Sequence, residues 1–219
     1  MKAIWSFFQR WFRSENSSQF TWHEPGPDNP FAMRILDIRP LTQTMVSTTS
    51  NPEIAQSFVE LRKSDGSDLA SQRIDPVTVK ECNLVLPHNG EALEGIVSKA
   101  DSMEVKWDIY AYDSHFLFAR SWTGNLIYRA SFEVSDNALT VNRVESVPAH
   151  EDKAIESVYF LLVSHAMGRV IPNPINDSTI DDPEQIALAS FNEFGNRACF
   201  ATFDDVTKVP VSLPETETE

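Results

Sequence analysis

The sequence predicts an α+β fold: an antiparallel β-meander sheet covered by helices on its faces, with an N-terminal amphipathic helix on a linker. Three observations carry this reading. Four extended runs, Trp107 to Tyr112, His115 to Trp122, Leu126 to Val134 and Ala138 to Val144, follow one another closely and are rich in β-branched and aromatic residues. The segments between them, Asp113-Ser114, Thr123-Gly124-Asn125 and Asp136-Asn137, have the composition of hairpin turns. Capped helices precede and follow the meander.

Taking the chain in order, Met1, Ile4, Trp5, Phe7, Phe8, Trp11 and Phe12 share one side of a helical wheel at ~100° per residue. Lys2, Ser6, Gln9, Arg10 and Arg13 share the other, so residues 1–13 read as an amphipathic helix. Residues 14–31 combine Ser17-Ser18 with Pro25, Gly26, Pro27 and Pro30, a density of breakers that reads as a linker. A single domain is expected over 32–207. Within it Ile35 to Ile38 and Thr44 to Thr48 read as strands separated by Pro40. A helix starts at Asn51 as N-cap, with Pro52 first and Glu53 in the opening turn; its apolar stripe is Ile54, Ala55, Phe58 and Leu61, and Ser64-Asp65-Gly66 stops it. Val77 to Leu86 reads as another strand, ended by Pro87 and Asn89-Gly90.

The meander's register follows from parity. If Asp113-Ser114 is a two-residue turn, Ile109 faces Phe118 and Ala111 faces Phe116; if Asp136-Asn137 is another, Val134 faces Leu139 and Phe132 faces Val141. Both registers set apolar against apolar. Extending the parity places Trp107, Ile109, Ala111, Phe116, Phe118, Arg120, Trp122, Ile127 and Arg129 on one face. Leu117, Ala119, Tyr128, Ala130, Phe132, Val134, Leu139 and Val141 fall on the other. Both faces are apolar, so both call for at least partial cover. A helix over Glu151 to Met167, with Ile155, Val158, Tyr159, Leu162 and Ala166 on its stripe and Gly168 as its stop, supplies some. A second begins at Asp182 with Pro183 and Gln185 in a capping-box arrangement, turns Ile186, Ala189 and Phe194 inward, and stops at Gly195. Arg197 to Phe203 reads as a last strand, and 208–219 as a disordered acidic tail.

Composition narrows function. Eighteen Lys and Arg against thirty-two Asp and Glu give a net charge of -14 over 219 residues, and the longest basic grouping is Arg62-Lys63. Nucleic-acid binding rests on neutralising phosphates, so it is not expected. No run of about 18 apolar residues exists, and Gln9 and Arg10 interrupt the N-terminal apolar stretch, so a cytoplasmic protein is expected. Cys82 and Cys199 read as reduced core thiols. The sequence carries no phosphate-binding glycine loop, nucleophile elbow, zinc-protease motif or calcium loop. Its five histidines make no metal-ligand spacing, and no cofactor or metal is expected. His165, near an apolar stripe, reads as a core histidine.

Two surfaces stand out. Arg120 and Arg129, placed by parity on one face with Trp107 and Trp122, suggest an anion pocket gripped by guanidiniums and walled by indoles. The competing structural reading stacks Arg120 on Trp107 and pairs Arg129 with an acidic side chain. The N-terminal helix, through Trp5, Phe8, Trp11 and Phe12, suggests peripheral membrane contact, insertion into a partner's groove, or packing on the protein's own body. The acidic balance and missing catalytic signatures favour a binding or regulatory protein of the immunity or adaptor kind, whose acidic surface engages a basic protein partner. The rival is an enzyme assembled from scattered residues such as Arg120, Arg129, His115 and Asp108.

Overall fold

The computed structural model describes residues 19–212. The expected amphipathic helix, with Trp5, Phe8, Trp11 and Phe12, lies outside them, as does the end of the acidic tail. In chain order the elements are β1 (Thr21–His23), β2 (Ile35–Asp37), α1 (Arg39–Thr42), α2 (Pro52–Leu61), β3 (Thr78–Pro87), β4 (Gly95–Ser98), β5 (Trp107–Tyr112), β6 (His115–Arg120), β7 (Leu126–Val134), β8 (Ala138–Ser146), α3 (Ala154–Leu161), β9 (Asn173–Pro174), α4 (Pro183–Phe194) and β10 (Phe200–Thr202). They build an antiparallel six-stranded sheet, ordered β3-β8-β7-β6-β5-β4, and a four-stranded sheet, ordered β1-β2-β10-β9. The α+β class with a central antiparallel meander is the one the sequence predicts.

The meander forms because its turns fit. Asp113 and Ser114 both take positive φ, 50° and 58°, the backbone that a tight two-residue hairpin requires. The registers then follow: Ile109 pairs with Phe118, Ala111 with Phe116, Val134 with Leu139 and Phe132 with Val141.

The faces differ from expectation. Between β6 and β7, Phe118 pairs with Tyr128 but Ala119 pairs with Leu126, so Ile127 is the extra residue of a bulge. A one-residue change of offset moves every side chain of the following strand to the other face. Tyr128, Ala130, Phe132 and Val141 therefore join Trp107, Ile109, Phe116 and Phe118 on one core face, and Arg129 moves to the outer face beside Leu117.

The core face packs on α3. Residues Ser157–His165 are buried without a break, continuing beyond α3 into a π-helical turn over Leu162–Ala166. A helix apolar all round is an interior helix rather than a surface one. It is one because the small sheet covers its far side: Ile35, Leu36 and Ala201 belong to the same core. On the outer face a smaller cluster of Leu69, Tyr110, Leu117 and Ala119 is covered by the segment following α2. Gly66 makes this cover possible, since it has φ 81° and a Cβ there would collide with the Tyr110 ring.

Other differences are local. Thr21–His23, inside the expected linker, pairs with β2. Thr44 to Thr48, expected as a strand, pairs with none: Val46 is exposed, and the segment is held by Ser47 N–H donating to Glu104 Oε1 at 2.8 Å. Gly95–Ser98 forms an edge strand that had no distinct signal. Asn51 and Asp182 cap as read, each accepting from the N–H two residues on. Gln185, however, reaches the Asp182 carboxylate rather than its backbone. Ala189 is exposed, while Ala187 and Phe191 face inward. Val209, at the start of the expected disordered tail, is buried and its carbonyl accepts from Tyr159 Oη at 2.6 Å.

Candidate functional site

Of the four residues expected to share an anion pocket, Arg120 and Trp107 meet, while Trp122 and Arg129 lie apart from them. Trp107 is 0% exposed; its Nε1–H donates to the Glu193 carbonyl at 2.6 Å and its ring stacks on Tyr128. Arg120, at the end of β6, lies over the Trp107 ring at 4.7 Å and donates to the Glu193 and Asn192 carbonyls at 2.9 and 2.8 Å. Those carbonyls belong to the last turn of α4, where intrahelical partners run out. Arg120 thus closes a helix C-terminus, with charge that suits the helix dipole. Its stacking on Trp107 is the competing reading weighed above. Trp122 lies in the turn after β6, donates to the Met103 carbonyl at 2.9 Å, and carries Lys106 Nζ over its ring at 4.4 Å. Burial, followed by the nearby Arg120 charge, pushes the Lys106 pKa down to about 8.

Around Arg120 the tertiary structure assembles a polar cluster that had no sequence signature. Glu193 Oε2 is 3.5 Å from Arg120 Nη1, and Glu193 Oε1 is 3.5 Å from His150 Nδ1. His150 Nδ1 in turn meets Tyr128 Oη at 3.2 Å. Burial, then the Glu193 charge, pushes the Tyr128 phenol up, so it stays a neutral hydrogen-bonding group. These residues come from four separate elements, so no spacing announced them.

The residues considered for a scattered enzyme site hold the fold together. Asp108, 2% exposed, takes a bidentate grip from Arg62 at 2.9 and 2.6 Å and accepts the Ala100 N–H at 2.8 Å. Arg62 also donates to the Ala100 and Ser121 carbonyls. Every polar atom of this buried pair that matters for its desolvation is therefore answered. His115 Nδ1 contacts the Asp113 carbonyl within its own hairpin at 2.6 Å. His165 is a core histidine as read: Nδ1 meets Ser164 Oγ at 2.8 Å, and burial pushes its pKa down to about 3.

Arg129 is different. It sits on the outer face, 7% exposed, across from Leu117 on one side and Glu145 on the other. Its Nε is buried with no hydrogen-bond partner, and among the described residues no ion pair reaches its guanidinium. Glu145 instead meets Arg143 Nη2 at 3.0 Å. Burial, then the Arg73 charge, lowers the Arg129 pKa, and Glu145 and Asp113 oppose this.

A further surface lies where β4 and β5 reach the outer face. Tyr112 Oη donates to the Asp65 carbonyl at 3.1 Å, and burial, then the charges of Asp65, Glu94 and Asp68, raise its pKa. Ile96 on β4 pairs with Tyr110, so it shares this face, and it is 53% exposed. The nearby Lys99 ammonium is held on the Ser64 carbonyl.

Among the described residues no three His, Cys, Asp or Glu side chains gather as a metal site, no helix is long and apolar enough to cross a membrane, and both cysteines are free. Comparison with known protein families, curated proteins and solved structures finds no match.

Proposed function

We propose that this protein acts by binding rather than catalysis, as a regulatory or adaptor-like protein that presents an acidic surface to a basic protein partner. The observation that carries the reading is the outer-face edge at β4. Tyr112 is held on the Asp65 carbonyl there, near enough to Asp65, Glu94 and Asp68 to feel their charge, on the face that also carries the exposed Ile96 of an edge strand. An edge strand offers unpaired backbone groups to an incoming strand. An apolar anchor rimmed by charge is the usual anatomy of a protein interface. The net charge of -14 adds long-range steering of a basic partner. The alternative enzyme residues Asp108 and Arg120 are engaged in structural contacts, which also favours binding over catalysis.

The test is an affinity capture from native lysate with the full chain, at low and at high salt, alongside a triple variant Asp65→Asn, Asp68→Asn, Glu94→Gln. A basic protein held at low salt, released at high salt and lost with the variant is the expected result. Retention of that protein by the triple variant would move the interface elsewhere. An empty low-salt capture would overturn the reading.

A further inference from the structure

Strand β3 is the edge of the six-stranded sheet opposite β4, and among the described residues no strand pairs with its outer side. It is ten residues long, and exposure alternates along it from Thr78 to Leu86: Val79, Glu81, Asn83 and Val85 are exposed, and the residues between them are half-buried or buried. The irregularity in its pairing with β8, between Glu81 and Leu84, leaves this alternation intact. His88 N–H donates to the Asn137 carbonyl across the β3–β8 ladder, and Val147 N–H donates to the Ile127 carbonyl on the far side of β8. Backbone groups of an antiparallel strand point alternately to its two sides. The N–H and C=O of Val79, Glu81 and Val85 therefore face the open edge. A long edge of this kind, with Val79 41% and Val85 57% exposed, is a template for another strand.

We propose that β3 pairs antiparallel with β3 of a second copy of this chain, about a two-fold axis at Cys82, joining the two six-stranded sheets into one. The strand's own sequence selects this occupant. An axis at Cys82 sets Val79 of each copy against Val85 of the other, Val77 against Pro87, and Glu81 against Asn83. Val79 and Val85 both turn their backbone groups to the edge, so they meet as hydrogen-bonded pairs, and almost the whole of β3 is used. No like charges are opposed. The neighbouring axes fail this test. One at Lys80 sets lysine against lysine, one at Glu81 sets carboxylate against carboxylate, and one at Asn83 sets Glu81 against Val85. Cys82, small and uncharged, suits the axis, where a non-hydrogen-bonded pair brings the strands to about 4.5 Å between Cα atoms. Lys80 and Glu81 cancel, so this edge has no charge with which to select a basic partner. The interface is isologous, the same strand serving both copies. It is independent of the acidic β4 edge.

Sedimentation equilibrium of the full chain across a concentration series is expected to show a monomer–dimer equilibrium. The dimer is expected to tighten as NaCl is raised, because salt screens the repulsion between two chains of net charge -14. The basic partner of the β4 edge has the opposite salt dependence. Val79→Lys and Val85→Lys change exposed side chains and are expected to keep the fold, read by circular dichroism. Each is expected to weaken the dimer about tenfold, since it acts at two symmetry-related places. Val79→Lys combined with Val85→Glu in one chain is expected to restore most of the affinity, because the axis sets the lysine of one copy against the glutamate of the other. A monomer at every concentration would overturn the proposal and leave the edge to a different strand. A dimer indifferent to both lysine variants would overturn it by placing the contact on another surface. Weakening by both lysines with no recovery in the combined variant would overturn the axis at Cys82.

Discussion

On the core face of the six-stranded sheet, Arg120 meets two helix-terminal carbonyls, a carboxylate and an indole. On the outer face, Arg129 is more deeply buried and among the described residues meets no hydrogen-bonding partner at all. Nine positions apart in sequence, one guanidinium is tied to a helix end and the other has no hydrogen bond among the described residues. The difference separates a charge whose partners are built into the fold from one that has none among the described residues. A structural charge has its partners built in, and its removal costs stability. A side chain without such partners contributes less to the fold, and its removal costs less.

The sharpest way to break this comparison is on the answered charges. Asp108→Asn strands Arg62 against the outer face without its carboxylate, and a loss of about 3–5 kcal/mol is expected by chemical denaturation. A second test uses pH. The His165 pKa is pushed down to about 3 in the fold, below the ordinary value near 6.5. Between those values the unfolded chain binds the proton and the folded one does not. This contribution to stability is therefore fully present above about pH 6.5 and falls as pH drops towards 3, at up to about 1.4 kcal/mol per pH unit. Urea denaturation of His165→Asn against the parent at pH 7, 5 and 4 should show a shallower acid decline in the variant. Arg120→Ala opens the C-terminus of α4, and about 2 kcal/mol of destabilisation is expected by the same assay. The smallest effect is at Arg129: Arg129→Met should change stability by less than about 1 kcal/mol, because the guanidinium has no hydrogen bond to lose among the described residues. Equal destabilisation by Arg120→Ala and Arg129→Met would erase the distinction between the two faces.

Much of the scaffold was legible in the residues. The hairpin at Asp113-Ser114 tolerates the positive φ its turn needs, and the apolar parity on both sides of it admits only one register. Asn51-Pro52 and Asp182-Pro183 announce helix starts through local chemistry, and Gly195 marks the end of α4. The site was less legible, and one residue accounts for most of that. Ile127 bulges out of the β6–β7 ladder, which places Arg129 opposite Arg120 instead of beside it. A bulge inserts a residue without changing composition or turn signals, so parity carried across it gives the wrong face. Of the four-stranded sheet, β2 and β10 lie within the strands read at Ile35 to Ile38 and Arg197 to Phe203, but β1, β9 and the pairing of the four were not read. Its strands are two or three residues long, and β1 and β2 pair with segments from the far end of the chain only through β10. Strands as short as β1 and β9 hold no period to read.

Local conformational preference and apolar alternation act over a few residues, so the sequence was sufficient for the α+β class, the four meander strands, their tight turns and the helix caps. Which charges are answered depends on atoms brought together from distant positions: Arg62 with Asp108, Arg120 with Glu193, and Glu145 with Arg143 in preference to Arg129. Those partnerships follow from one bulge and from the way α4 and the segment after α2 lie against the sheet, and only the tertiary structure decided them.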